Sequence, residues 1–219
     1  MPTGREPYRS SSWGRKELVA SLGAFDPAPI VQRYRDRDLA GRSPSDLLAF
    51  TVDSTIYRAF RYESPKQRYA RWRWHRKADQ LVAMLNALAD QESFDRLARD
   101  LGASLVADWG STNDRGEPTR MNLGVAMKIA NLALKHLAFS EHSANLRIVE
   151  WLHVPWDSFT LKPLRGVWSG SPAIPASPSQ GFVNNLDLYD RLHATITGIA
   201  SEAGVPRINY ELWAWDLAH

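Results

Sequence analysis

Apolar residues recur at helical spacing along most of this chain, and the places where that spacing breaks divide it into segments. The most strongly helical is 121–138, opening Met121-Asn-Leu-Gly-Val-Ala-Met-Lys128. Ser43-Pro-Ser-Asp46 reads as a helix start ahead of Leu47 to Tyr57, and residues 66–89 and Ser93–Leu105 predict two further helices. Turn formers crowd 108–118, and a Pro/Ser/Gly loop spans 166–181. Trp151–Leu164 reads as a turn followed by a short helix. Leu186–Ala203 predicts a helix with Gly204 as its stop and Pro206 beyond, and a last helix runs through Tyr210 to Leu217. Residues 1–16 are polar and Ser-rich, which predicts a flexible arm. Strand-like alternation is scarce, and there is neither an internal repeat nor a sustained heptad. The expected class is all-α, with residues 1–219 as a single helical domain.

Composition narrows the chemistry. The 219 residues contain 44% hydrophobic positions, 9 Trp and no Cys. A disulfide, a thiolate nucleophile and a Cys-ligated metal are therefore excluded, and the 6 His form no H-E-x-x-H pair. Chemistry must come from amines, carboxylates, hydroxyls and backbone, so neither a metal nor an organic cofactor is expected. No apolar run of about 18 residues is present, and the N-terminus lacks the apolar core of a secretory signal. Both features predict a soluble cytoplasmic protein with no membrane partner.

The net charge of +3 is unevenly distributed. Residues 1–80 hold 16 Lys/Arg against 9 Asp/Glu, whereas 81–219 hold 11 against 15. Within the basic part, residues 58–77 carry eight Lys/Arg and one acid, interleaved with Phe60, Tyr62, Tyr69, Trp72 and Trp74. Cations that bind phosphate beside rings that stack on bases suit a nucleic-acid surface, which makes Arg68, Arg71, Arg73 and Trp72 candidate DNA contacts. The alternative is an amphipathic helix with Tyr69 and Trp72 facing the core and the arginines in solvent.

Two residues stand out as candidate chemistry, Lys128 in the 121–138 helix and Asp157 at the start of the next short one. Taken alone, each has a plain structural reading. Gly124, Lys128, Asn131 and Lys135 form one polar stripe on a helix face, where a lysine is ordinarily solvated. Asp157 stands where an N-cap belongs. A capping carboxylate can also catalyse, so the two roles are compatible.

Taken together, three elements resemble the helix–hairpin–helix DNA glycosylases. Gly124-Val-Ala-Met-Lys128-Ile-Ala-Asn131 resembles the helix carrying that family's lysine, and Val154-Pro-Trp-Asp157 resembles its V-P-x-D element. Ala203-Gly-Val-Pro-Arg-Ile-Asn-Tyr-Glu211-Leu-Trp-Ala-Trp215 is similar to the ending of the archaeal 8-oxoguanine glycosylase branch, with Glu where that branch usually has Asp. The resemblance covers roughly residues 115–216. The family's L-P-G-x-G hairpin is absent, leaving Gly116 and Gly124 as the nearby glycines.

The resemblance implies two helical lobes around a cleft, with Lys128 as nucleophile and Asp157 as its electrostatic and proton-handling partner. Glu211 and Trp215 would form the base pocket, and Gly124 would approach the DNA. It also implies base excision from damaged double-stranded DNA by a protein that is nucleoid-associated when bound, with 8-oxoguanine as the expected base, abasic-site lyase cleavage and a monomeric state. Two alternatives stay open: a non-catalytic nucleic-acid-binding module on the same fold, and a glycosylase for another modified base.

Overall fold

A computed structural model of the chain describes residues 13–55, 72–108, 111–112, 118–119 and 121–218. The protein is all-α, apart from an antiparallel pairing of Ser111–Thr112 with Pro118–Thr119. Helices α1 (Arg15–Ala24) and α2 (Ala28–Tyr34) lead into a π-helical turn, Arg35–Leu39, and then α3 (Pro44–Thr55). A 3₁₀ turn, Arg73–Lys77, runs into α4 (Ala78–Asn86), and α5 (Gln91–Asp108) precedes the pairing. After it come α6 (Leu123–Phe139), α7 (Ile148–Trp151), α8 (Ser158–Leu164), α9 (Leu186–Glu202) and α10 (Ile208–Ala218).

The helix boundaries follow local chemistry. Ser43 and Asp46 cap α3 reciprocally, with Ser43 N donating to Asp46 Oδ2 and Asp46 N donating to Ser43 Oγ. Asp90 and Ser93 do the same at the start of α5. Asn122 begins α6, its side chain accepting from Gly124 N at 2.8 Å, and Asn185 begins α9 by accepting from Leu188 N. Gly204, at φ +70°, turns the chain out of α9 in the left-handed region that favours glycine.

Helix α6 is the centre of the molecule. Every residue in it except Leu123, Val125 and Lys128 is buried, the condition under which a helix can be apolar on nearly all sides. One apolar cluster joins Ala126, Ile129, Ala130 and Leu134 to α3, α4, α5 and α7. A second joins Met127 to α1, α8, α9 and α10 through Leu18, Trp156, Leu161, Leu192 and Tyr210. Among the described residues no helix is long and apolar enough to cross a membrane.

The structure departs from the sequence reading in three places. The polar arm expected through residue 16 ends sooner, because Trp13 packs edge-on against Trp213 with ring centroids 5.0 Å apart and α1 starts at Arg15. The continuous helix expected over 66–89 is broken in its described part. Trp72 is extended, and its indole is anchored by Nε1 donating to Ser104 Oγ, so the helix proper starts only at Ala78. Residues 15–39 add two helices and a π turn that were not foreseen; α1 buries only Leu18 and Leu22, and α2 buries none of its residues fully.

Candidate functional site

The polar stripe on α6 is buried. Asn131 and Lys135 are enclosed and Lys128 is 11% exposed, so the solvated-lysine reading is overturned. Such a stripe needs partners, because an unpaired buried charge or amide is costly. Lys128 Nζ lies 2.9 Å from Asp157 Oδ2. Lys135 Nζ lies 2.8 Å from Glu211 Oε1 on α10. Asn131 Nδ2 donates to Tyr189 Oη at 2.9 Å and to the Val154 carbonyl at 3.3 Å.

Asp157 divides its two oxygens between tasks. Oδ1 accepts from the amides of Phe159 (2.8 Å) and Thr160 (3.2 Å), capping α8, while Oδ2 faces Lys128. Thr160 Oγ1 accepts in return from Asp157 N at 2.9 Å, closing a capping box that fixes the carboxylate's orientation. The cap therefore holds the charge in place.

Lys128, Asp157, Glu211 and Trp215 all line one cavity of about 700 Å³. Its walls also include Tyr34 and Arg37 from α2 and the π turn, Phe50 from α3, Leu132 and Lys135 from α6, and Pro155 and Phe159 beside α8. Trp215 is 40% exposed, at the solvent side. Glu211 Oε2 is buried and has no hydrogen-bond partner among the described residues. Burial, reinforced by the charges of Glu211 and Asp38, raises the Tyr34 phenol well above its ordinary range and keeps it protonated. The Lys135 ammonium sits 5.2 Å from the centre of that ring. Lys128 and Lys135 are seven residues apart on one face of α6, about 10 Å at the helical rise. The cavity thus pairs an amine–carboxylate couple at one end with a buried acceptor beside a cation at the other.

Comparison with protein-family models, with curated proteins and with solved structures finds no match to this chain.

Other residues singled out from the sequence fare differently. Trp72 is 1% exposed in the core and cannot stack on a base, which corrects its assignment as a DNA contact. Arg73 grips Asp108 with its backbone N and with both Nε and Nη2, at 2.7–3.1 Å, so its charge is already matched. Arg68 and Arg71 lie outside the described residues. Gly124 is buried, and a Cβ there would collide with the carbonyls of Gln180 and Val183, while its amide is held by Asn122. Its role is close packing of α6 on the 180–183 turn, not an approach to DNA.

His136 is enclosed and bonded to Thr51 at 2.6 Å; burial, then Lys135, lowers its pKa and keeps it neutral. Among the described residues no group of three or more His, Asp or Glu is placed to hold a metal ion. Sequence reading missed Lys135 as a cavity residue. The signal was its seven-residue spacing from Lys128, which puts both amines on one face.

Proposed function

We propose that this chain is a helix–hairpin–helix-type DNA glycosylase with abasic-site lyase activity, acting on 8-oxoguanine in duplex DNA. The observation that carries the proposal is the 2.9 Å contact of Lys128 with Asp157 in the same cavity as Glu211 and Trp215.

In this reading an extruded nucleotide enters with its sugar at Lys128 and its base toward Lys135. Asp157 Oδ2 takes a proton from the Lys128 ammonium, and the freed amine attacks the anomeric carbon. A C–N bond to lysine forms as the glycosidic C–N bond breaks, and the base leaves with that electron pair and is protonated. Asp157 hands the lysine proton on to the leaving base, and its carboxylate, ionised again, stabilises positive charge developing on the sugar. Ring opening gives a lysine imine; its acidified C2′ proton is lost to water, that electron pair forms the C2′–C3′ double bond, and the C3′–O bond breaks with the 3′-phosphate as leaving group. At the far end Glu211 Oε2 accepts from a base N–H, Lys135 donates to a base carbonyl, and Trp215 covers a ring face. No metal or organic cofactor enters this chemistry.

Leu132 favours a second reading within the same class, a glycosylase for another modified base, because it puts an aliphatic side chain on the cavity wall where a stacking ring would favour a purine. The test is borohydride trapping on duplexes carrying 8-oxoguanine, other lesions or an abasic site, with Lys128→Gln in parallel. An adduct on the 8-oxoguanine duplex that is lost in Lys128→Gln is expected. Adduct on the abasic duplex alone transfers the proposal to another lesion. No adduct anywhere, with duplex binding intact, overturns it in favour of a non-catalytic binding module.

A further inference from the structure

The segment that delivers Asp157 to Lys128 is unusual. Residues 152–156 are buried and belong to no helix or strand, so apart from the Leu152 amide, which donates to the Ile148 carbonyl, their backbone groups lack a regular ladder. Side chains take over that role. The Trp151 and Leu152 carbonyls accept from Arg207, the Val154 carbonyl from Asn131, and the Pro155 carbonyl from Thr160 Oγ1.

Behind Asn131 stands a continuous chain of hydrogen bonds. Asn131 Nδ2 donates to Tyr189 Oη at 2.9 Å, and Tyr189 Oη meets His153 Nδ1 at 2.6 Å. His153 Nε2 meets Asp95 Oδ1 at 2.7 Å. The Asp95 carboxylate only accepts, so Nε2 carries the ring hydrogen and Nδ1 accepts from the tyrosine. Every donor then has an acceptor, from α6 through α9 and the 152–156 segment to α5.

We propose that Asn131, Tyr189, His153 and Asp95 form a positioning relay that fixes the Asp157 carboxylate against Lys128. Asn131 is one turn beyond Lys128 on the same face, so a single side chain registers the amine's helix to the strand of chain that carries its partner. The inference rests on the proposed chemistry of the Lys128–Asp157 pair, but its structural core stands independently. None of the four relay residues lines the cavity.

The test uses Tyr189→Phe and the near-isosteric Asn131→Leu in the full chain. Two readouts are taken: hydrogen exchange at the Phe159 and Thr160 amides, which Asp157 caps, and the single-turnover rate of base release per trappable active site. Each variant is expected to speed exchange at those two amides and slow base release about five- to tenfold, the effect of one lost buried hydrogen bond. Exchange within α4 and the trappable fraction stay unchanged, and the double variant is no slower than the slower single one. Unchanged exchange at Phe159 and Thr160, or an equal rise throughout α4, overturns the relay. A wild-type protein without lesion chemistry sinks the glycosylase reading alone, because the exchange result still decides the relay.

Discussion

Lys135 Nζ donates a 2.8 Å hydrogen bond to one oxygen of Glu211, while the other oxygen, buried in the cavity wall, has no partner among the described residues. A buried acceptor beside a buried cation is suited to a ligand edge that carries N–H next to C=O. Such an arrangement is costly without a ligand, since a carboxylate lone pair out of water forfeits its hydration.

Removing one partner of this pair should therefore be severe. Lys135→Met leaves Glu211 uncompensated and is expected to lower stability by about 3–5 kcal/mol. Lys135→Met combined with Glu211→Leu should recover most of that loss. Urea unfolding of the three proteins measures both, and equal losses in the single and double variants would show that the charge is not the cause.

The divided roles of Asp157 predict a separation of stability from chemistry. Asp157→Asn keeps an oxygen for the α8 amides, whereas Asp157→Ala loses the cap and is expected to be less stable than the Asn variant by about 1 kcal/mol. Both should abolish borohydride-trappable turnover. Thermal melts set beside trapping yields check the separation.

Gly124→Ala pits helix propensity against packing. Alanine gains up to about 1 kcal/mol of intrinsic propensity. Its methyl, however, meets two backbone carbonyls that cannot rotate away, and overpacking of this kind costs about 1–3 kcal/mol. A net loss in denaturant midpoint is expected, with the salt dependence of duplex binding unchanged.

Acid should destabilise the fold well before the carboxylates titrate. Burial lowers the pKa of His136, His153 and His193, so the folded state stays deprotonated while the unfolded chain takes up protons near the ordinary imidazole pKa of about 6.5. Stability is thus complete above about pH 6.5 and falls below it, by up to about 1.4 kcal/mol per pH unit for each histidine. The His153 share ends first, because the Asp95 hydrogen bond opposes its burial. Urea midpoints should hold from pH 7.5 to about 6.5 and decline from there to pH 5.5, and a flat profile would contradict the three neutral rings.

Arg73→Gln should leave the salt slope of duplex binding unchanged, since Asp108 already matches its charge. Trp72→Ala should cost about 3–5 kcal/mol of stability as a core truncation. Binding titrations at several salt concentrations and urea unfolding test the pair.

The local periodicity of the sequence determined the all-α class, the approximate span of α3, α5, α6, α9 and α10, and the cap at Asp157. These are written in nearest-neighbour chemistry: apolar spacing, Ser/Asp/Asn before a helix, Gly after one. The two short N-terminal helices escaped because they bury so little surface that their apolar pattern is faint. Tertiary structure alone decided which face of α6 turns inward. The stripe of Gly124, Lys128, Asn131 and Lys135 reads from sequence as a wet surface, because polar residues on a helix ordinarily face water. Here carboxylates, a phenol and a carbonyl from 23 to 76 residues away close over it. Whether a charge is solvated or paired depends on what the rest of the chain brings to it, and local spacing cannot encode that meeting.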